Sequence, residues 1–243
     1  MEVNMKKRII IPLLIFIIIV IIVTFINSKT VYLGNQTRVY LLGNKIIKTN
    51  KNKKVLLKKI NVYKNGNILK GYLKSAKVSN EYDYYAVSKS NNKYDLDDLI
   101  VSGTLTKIDV VLCDKSLKIN DSTLLEINQL LDTNISLDSI QNYRMISKDI
   151  DNDSTKEKII YISYTEDDSI YTNIFVVDNS EVTNIIDFSV SFDDLGKSYS
   201  LVGIIDFNKD KNYEVIVSRV DGDSQPTYYD IYKYDNNGIK EIK

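Results

Sequence analysis

From Ile9 to Ile26 every position is apolar except Pro12 and Thr24. A helix of that length spans about 27 Å at roughly 1.5 Å per residue, close to the hydrocarbon thickness of a bilayer. Lys6, Lys7 and Arg8 stand just before it. The positive-inside rule then predicts a single-pass anchor in the cell membrane, with a cytoplasmic N-terminus and an extracytoplasmic chain from about Asn27 onward. A cleaved signal peptide is the alternative, but the run is longer than a usual apolar h-region and no small-x-small cleavage site follows it. No cysteine follows it either, which excludes a lipoprotein.

Past this run the hydrophobic pattern shortens to alternating segments, the period of strands. Thr30 to Leu33, Thr37 to Leu42, Lys54 to Tyr63 and Ile68 to Lys77 read as strands, with Asn65-Gly66 a hairpin signal between the last two. Such strands place Lys58, Lys70 and Lys74 at solvated positions. Glu81 to Tyr94 carries Tyr82, Tyr84, Tyr85 and Tyr94 around a polar turn. These tyrosines are either cross-strand packing pairs or an exposed platform for sugar or peptide. Leu99 to Leu112 continues as strand, turning at Ser102-Gly103. One segment has helical spacing instead: Leu124, Ile127, Leu130 and Leu131 recur on one face, and Thr123-x-x-Glu126 has capping-box spacing. A helix from Thr123 to about Leu131 is predicted, its apolar stripe packed on a sheet, with a weaker helical turn in Asn134 to Asn142.

From Tyr143 the pattern repeats. A polar loop precedes strands at Lys158 to Tyr164, Ile170 to Val177 and Val182 to Phe192. After Tyr199 to Ile205, a second such loop precedes Val215 to Val220 and Thr227 to Tyr234, and the chain ends one strand short of a full second set. A loop followed by three or four antiparallel strands about every 50 residues is the pattern of propeller blades or a similar sheet array. The expected fold class is mainly β: an N-terminal transmembrane helix, then an antiparallel, propeller-like extracytoplasmic region with one short helix. The expected divisions are residues 1–27 for tail and anchor, 28–118 for a basic β-rich region, 119–142 for a helical connector and 143–243 for acidic β repeats.

Charge sharpens this division. Lys29 to Asn80 holds 13 Lys and Arg and no acid, whereas Glu81 onward holds 16 basic against 31 acidic residues, although the whole chain is formally neutral. The basic stretch begins just outside the expected membrane, where anionic lipid headgroups or an anionic wall polymer would attract it. The plainer reading is a solvated β surface whose lysines guard strand edges. Cys113 is the one cysteine, so no intramolecular disulfide forms, and its neighbours Val110, Val111 and Leu112 predict a buried, unreactive thiol. The chain has no histidine, which removes Ser-His and Cys-His nucleophile pairs and His-containing zinc sites.

Two acidic loops carry the candidate chemistry. Asp149, Asp151, Asp153 and Glu157 stand at positions 1, 3, 5 and 9 of the first, and Asp206, Asn208, Asp210 and Glu214 at the same positions of the second, which starts 57 residues later. Calcium takes about six to eight oxygens at roughly 2.3–2.6 Å, which such alternating residues on a curved backbone can supply. Neither loop has the Gly and the distal Glu of an EF-hand. The spacing resembles the Asp-x-Asp/Asn-x-Asp-Gly-x-x-Glu/Asp loops of FG-GAP and VCBS-type repeats, the integrin-α-like β-propellers. The resemblance is confined to about residues 143–243. It implies loops joining two strands of a blade, with calcium held by those eight residues. The family glycine is replaced by Ser154 and Lys211, so either these residues adopt a left-handed turn or the loops are shaped differently. The alternative is that Asp and Asn serve only as turn formers between strands.

No reaction is spelled out by these residues. The expected role is a membrane-anchored, extracytoplasmic binding or scaffold module, calcium-stabilised and not an enzyme. The alternatives are a carboxylate-based enzyme such as a glycosidase, or an assembly partner of another membrane protein.

Overall fold

The computed structural model describes residues 12, 14–19, 30–34, 37–42, 45–50, 58–64, 67–78, 81–94, 100–103, 109–114, 117–192, 196–222, 227–235 and 238–243. Strands β1 (Thr30–Leu33), β2 (Thr37–Leu42), β3 (Lys45–Thr49), β4 (Lys58–Lys64), β5 (Asn67–Val78), β6 (Glu81–Val87) and β7 (Ile100–Gly103) form a seven-stranded antiparallel sheet in the order β3-β2-β1-β7-β4-β5-β6. After β8 (Asp109–Leu112) come helix α1 (Asp121–Leu131) and a short 3-10 turn at Leu137–Ser139. β9 (Ile140–Lys148), β10 (Glu157–Glu166), β11 (Ser169–Asp178) and β12 (Glu181–Ser191) then make a four-stranded antiparallel meander. β13 (Lys197–Asp206), β14 (Glu214–Asp221), β15 (Tyr228–Asp235) and β16 (Gly238–Glu241) make another, extended by β8 to five strands in the order β16-β15-β14-β13-β8. The mainly β, antiparallel class expected from the sequence is what the chain adopts, and no sheet closes into a barrel.

The five-stranded sheet lies in the middle, and its residues show why. Along β13 and β14, Ile204, Val215 and Val217 face the four-stranded sheet, while Ile205 and Ile216 face the seven-stranded one, all at 0% exposure. A strand buried on both faces loses the apolar/polar alternation and reads as a continuous hydrophobic run. β10 behaves likewise: Ile159 and Tyr161 pack toward the five-stranded sheet, and Ile160 and Ile162 toward α1. The layers therefore run from the seven-stranded sheet through the five-stranded and four-stranded sheets to the helix. Residues of the 28–118 segment supply both a strand and a core face to the C-terminal sheet. Gly203 makes the first of these possible, because a Cβ there would lie 2.4 Å from the Val111 carbonyl oxygen of β8.

Several sequence expectations are corrected in detail, and others hold. The helix starts at Asp121, because Asn120 and not Thr123 is its N-cap, its side chain accepting the Thr123 N–H at 2.9 Å. Asn is at least as good a cap as Thr, and its position exposes the same stripe, with Leu124 and Ile127 buried on the four-stranded sheet. β3 and β16 were not legible as strands, and with β16 the second meander has four strands instead of ending one short. Tyr84 is 1% exposed and packs edge-on against Tyr32 with ring centroids 5.2 Å apart, so it belongs to the core and not to a binding platform. Cys113 packs against the core between the two C-terminal sheets, and burial pushes its thiol up to about 12. Lys70 is exposed and the half-buried Lys74 donates to Asn91 Oδ1, whereas Lys48 is paired with Asp230 and Glu241 and is lost to the basic surface.

The expected Ile9–Ile26 span lies mostly outside the described residues. Among those described, residues 14–19 are helical, and Leu14 to Ile19 are between 46% and 64% exposed. No helix of the described residues is long and apolar enough to cross a membrane.

Candidate metal centre

Each acidic loop joins the first and second strands of a four-strand meander, β9 to β10 and β13 to β14. Their backbones are bent alike. Asn152 and Ser154 have φ of 63° and 80°, and Lys209 and Lys211 have 64° and 70°, so the residues replacing glycine do take the left-handed conformation. Such a conformation costs a non-glycine residue roughly 1 kcal/mol and persists only where the surroundings enforce it.

The enforcing contacts correspond position by position. The first carboxylate accepts the N–H of the sixth residue: Ser154 to Asp149 Oδ2 at 3.2 Å, and Lys211 to Asp206 Oδ2 at 3.0 Å. The third side chain accepts the fifth N–H at 3.2 Å in both loops, Asp153 to Asp151 and Asp210 to Asn208. The fifth accepts the seventh N–H, Thr155 to Asp153 at 2.7 Å and Asn212 to Asp210 at 2.8 Å. The ninth residue, at the mouth of the next strand, accepts the second N–H: Ile150 to Glu157 Oε2 at 2.7 Å and Phe207 to Glu214 Oε2 at 3.5 Å.

In the first loop one oxygen each of Asp149, Asp151 and Asp153 lie within 4.8 Å of one another. Oxygens around a cation at about 2.3–2.6 Å can be at most about 5 Å apart, so the grouping has the size of a calcium shell. Asp149 Oδ1 is buried and has no hydrogen-bond partner. Burial raises Asp151 above the ordinary Asp range, with Asp153, Asp149 and Asp178 adding to it, whereas the Thr155 hydroxyl and N–H lower Asp153. A cation would relieve both the crowding and the missing bond. Glu157 is fully buried and stands apart from the three, its oxygens taken by the Ile150 N–H and, at 3.3 Å, by the Thr155 hydroxyl. The donor set is all oxygen, which suits a hard cation.

The carboxylates of Asp206, Asp210 and Glu214 are not brought together in this way, and among the described residues the first loop alone shows such a group. Glu214 is 1% exposed, and burial, with Asp210 and Asp206 adding, pushes it up to about 8.

Four residues that sequence reasoning passed over tie the site to its surroundings. The Tyr213 N–H donates to the Ile150 carbonyl at 2.7 Å, joining the second loop to the first, while its hydroxyl donates to Asp109 Oδ2. The Tyr234 hydroxyl donates to Asp178 Oδ2 at 3.4 Å, linking β15 to the end of β11 beside the first loop. These contacts join residues far apart in the chain and leave no local signal in the sequence. No family model, curated protein or solved structure matches the chain.

Proposed function

We propose that this chain is a non-catalytic β scaffold, anchored in a membrane by its N-terminal apolar run and presenting a propeller-like, calcium-stabilised region outside the cytoplasm. The observation that carries the reading is the Asp149–Asp151–Asp153 group with its unbonded, buried Asp149 Oδ1. Three carboxylates held this close repel one another unless a cation offsets the repulsion. The matched loops between first and second strands of two meanders support the propeller-like reading, since the resembled family holds its loops within blades.

Melting the full chain in detergent micelles with calcium and then with chelator tests this reading. A ligand that binds only the folded form at a hundredfold excess over Kd adds about 2.7 kcal/mol. For a chain of this size that raises Tm by roughly 5–10 °C. Magnesium should do less, because it keeps its waters in a tight octahedron. Equal melting temperatures in calcium and chelator would reduce the loops to turns.

The exposed apolar helix of Leu14 to Ile19 supports the anchor, because large apolar side chains on all sides of a helix need a covering that the described chain does not supply. Protease added to intact cells with an accessible surface is expected to remove everything past the anchor. Complete protection would overturn the orientation.

A further inference from the structure

We infer that the two acidic loops, alike in backbone, differ in ligand: the first takes a divalent cation and the second takes none, closing its lead carboxylate with its own backbone N–H groups. This rests on the cation reading above, and the contrast lies in the oxygens. Asp149 accepts one N–H through Oδ2 and leaves Oδ1 buried without a partner. Its counterpart Asp206 is 6% exposed and accepts three N–H groups, from Lys209 at 2.6 Å and Asp210 at 3.2 Å on Oδ1, and from Lys211 at 3.0 Å on Oδ2. The oxygen that would meet the ion in the first loop is thus already doubly bonded in the second.

The remaining positions reinforce the difference. Asp151 and Asp153 accept bonds only through Oδ1 and keep Oδ2 for a ligand. In the second loop Asn208 turns its amide NH2 onto Asp210 Oδ2 at 2.7 Å, while Asp210 Oδ1 accepts the Asn212 N–H, so both oxygens of Asp210 are engaged. A cation meeting the same oxygens there, Asp206 Oδ1 and Asp210 Oδ2, would break three hydrogen bonds already made and meet one carboxylate fewer than in the first loop. The second loop acts instead as a cation-independent brace. Its Tyr213 N–H holds the Ile150 carbonyl, and the Ile150 N–H holds Glu157, so one residue of the first loop is fixed through both of its backbone polar groups.

Calorimetric titration of the full chain in detergent micelles with calcium chloride decides the point. One site per chain is expected, weakened at least tenfold by Asp151→Asn and changed less than twofold by Asp210→Asn. If Asp151→Asn fails to fold by circular dichroism, Asp153→Asn, at an exposed position, replaces it with the same expectation. Two sites in the wild type, or a tenfold loss from Asp210→Asn, would overturn this inference and leave the cation reading standing. No binding at all would overturn both.

Discussion

Replacing Lys48 by alanine is expected to destabilise the protein by about 3 kcal/mol, the low end of the range for breaking a buried ion pair. Lys48 lies on β3, and its Nζ is 3.0 Å from Asp230 of β15 and 3.0 Å from Glu241 of β16, with 9% of its side chain exposed. Asp230 is itself 10% exposed on its side chain, and its other oxygen holds Arg219 Nε at 3.0 Å. Removing the lysine leaves a buried carboxylate with one partner instead of two, which is why the cost stays at the low end. A surface pair would contribute no more than about 1 kcal/mol and would fade as salt screened it. Urea denaturation therefore discriminates. The shift in midpoint should persist at high salt, and Lys48→Met, which keeps the apolar stem but not the charge, should lose nearly as much. A loss below about 0.5 kcal/mol would mean that the network does not clamp the seven-stranded sheet to the five-stranded one.

Lys48 also shows where legibility ended. Its strand, Lys45–Thr49, offers only Ile46 as a buried apolar position, and its partners stand 182 and 193 residues away. No window of the sequence contains that interaction, so β3 was invisible, whereas strands carried by their own alternation, such as Thr30–Leu33 and Thr37–Leu42, were legible to the residue. β8 is a similar case. Val110, Val111 and Leu112 read as a strand, but that they pair with Gly203 to Ile205 depends on one glycine far along the chain. The helix stripe could be read because its spacing is local. Its start was misplaced because Asn120 and Thr123 both satisfy local capping rules, and only the three-dimensional path chooses between them.

The acidic loops were legible as a pair for the same reason as the helix, since positions 1, 3, 5 and 9 lie within nine residues. What the sequence concealed is which oxygens are already used. Asp149 and Asp206 are the same residue at the same position, yet one accepts a single N–H and the other three. That difference lies in whether the fourth and fifth N–H groups reach the lead carboxylate, which residue types do not encode.

The core between the seven-stranded and five-stranded sheets should depend most on Tyr229. It is fully buried among Val31, Leu33, Val39, Ile205, Phe207 and Ile231, and its N–H donates to Thr37 Oγ1 at 3.1 Å. Tyr229→Ala is expected to cost about 3–5 kcal/mol, as for other buried aromatics. The ring also dictates a residue far away in sequence: Gly34 has φ of +58°, and a Cβ there would lie 2.4 Å from Tyr229 Cε2. Gly34→Ala therefore meets two obstacles, a left-handed backbone worth about 1 kcal/mol and an overpacking clash worth roughly 1–3 kcal/mol more. The two obstacles separate in a double-mutant cycle. With the Tyr229 ring deleted the clash vanishes and only the backbone cost remains, so Gly34→Ala should cost at least about 1 kcal/mol less beside Tyr229→Ala than alone. Denaturant midpoints of the four proteins measure that coupling. If Gly34→Ala costs the same in both backgrounds, the glycine is required by its turn alone and not by the ring packed against it.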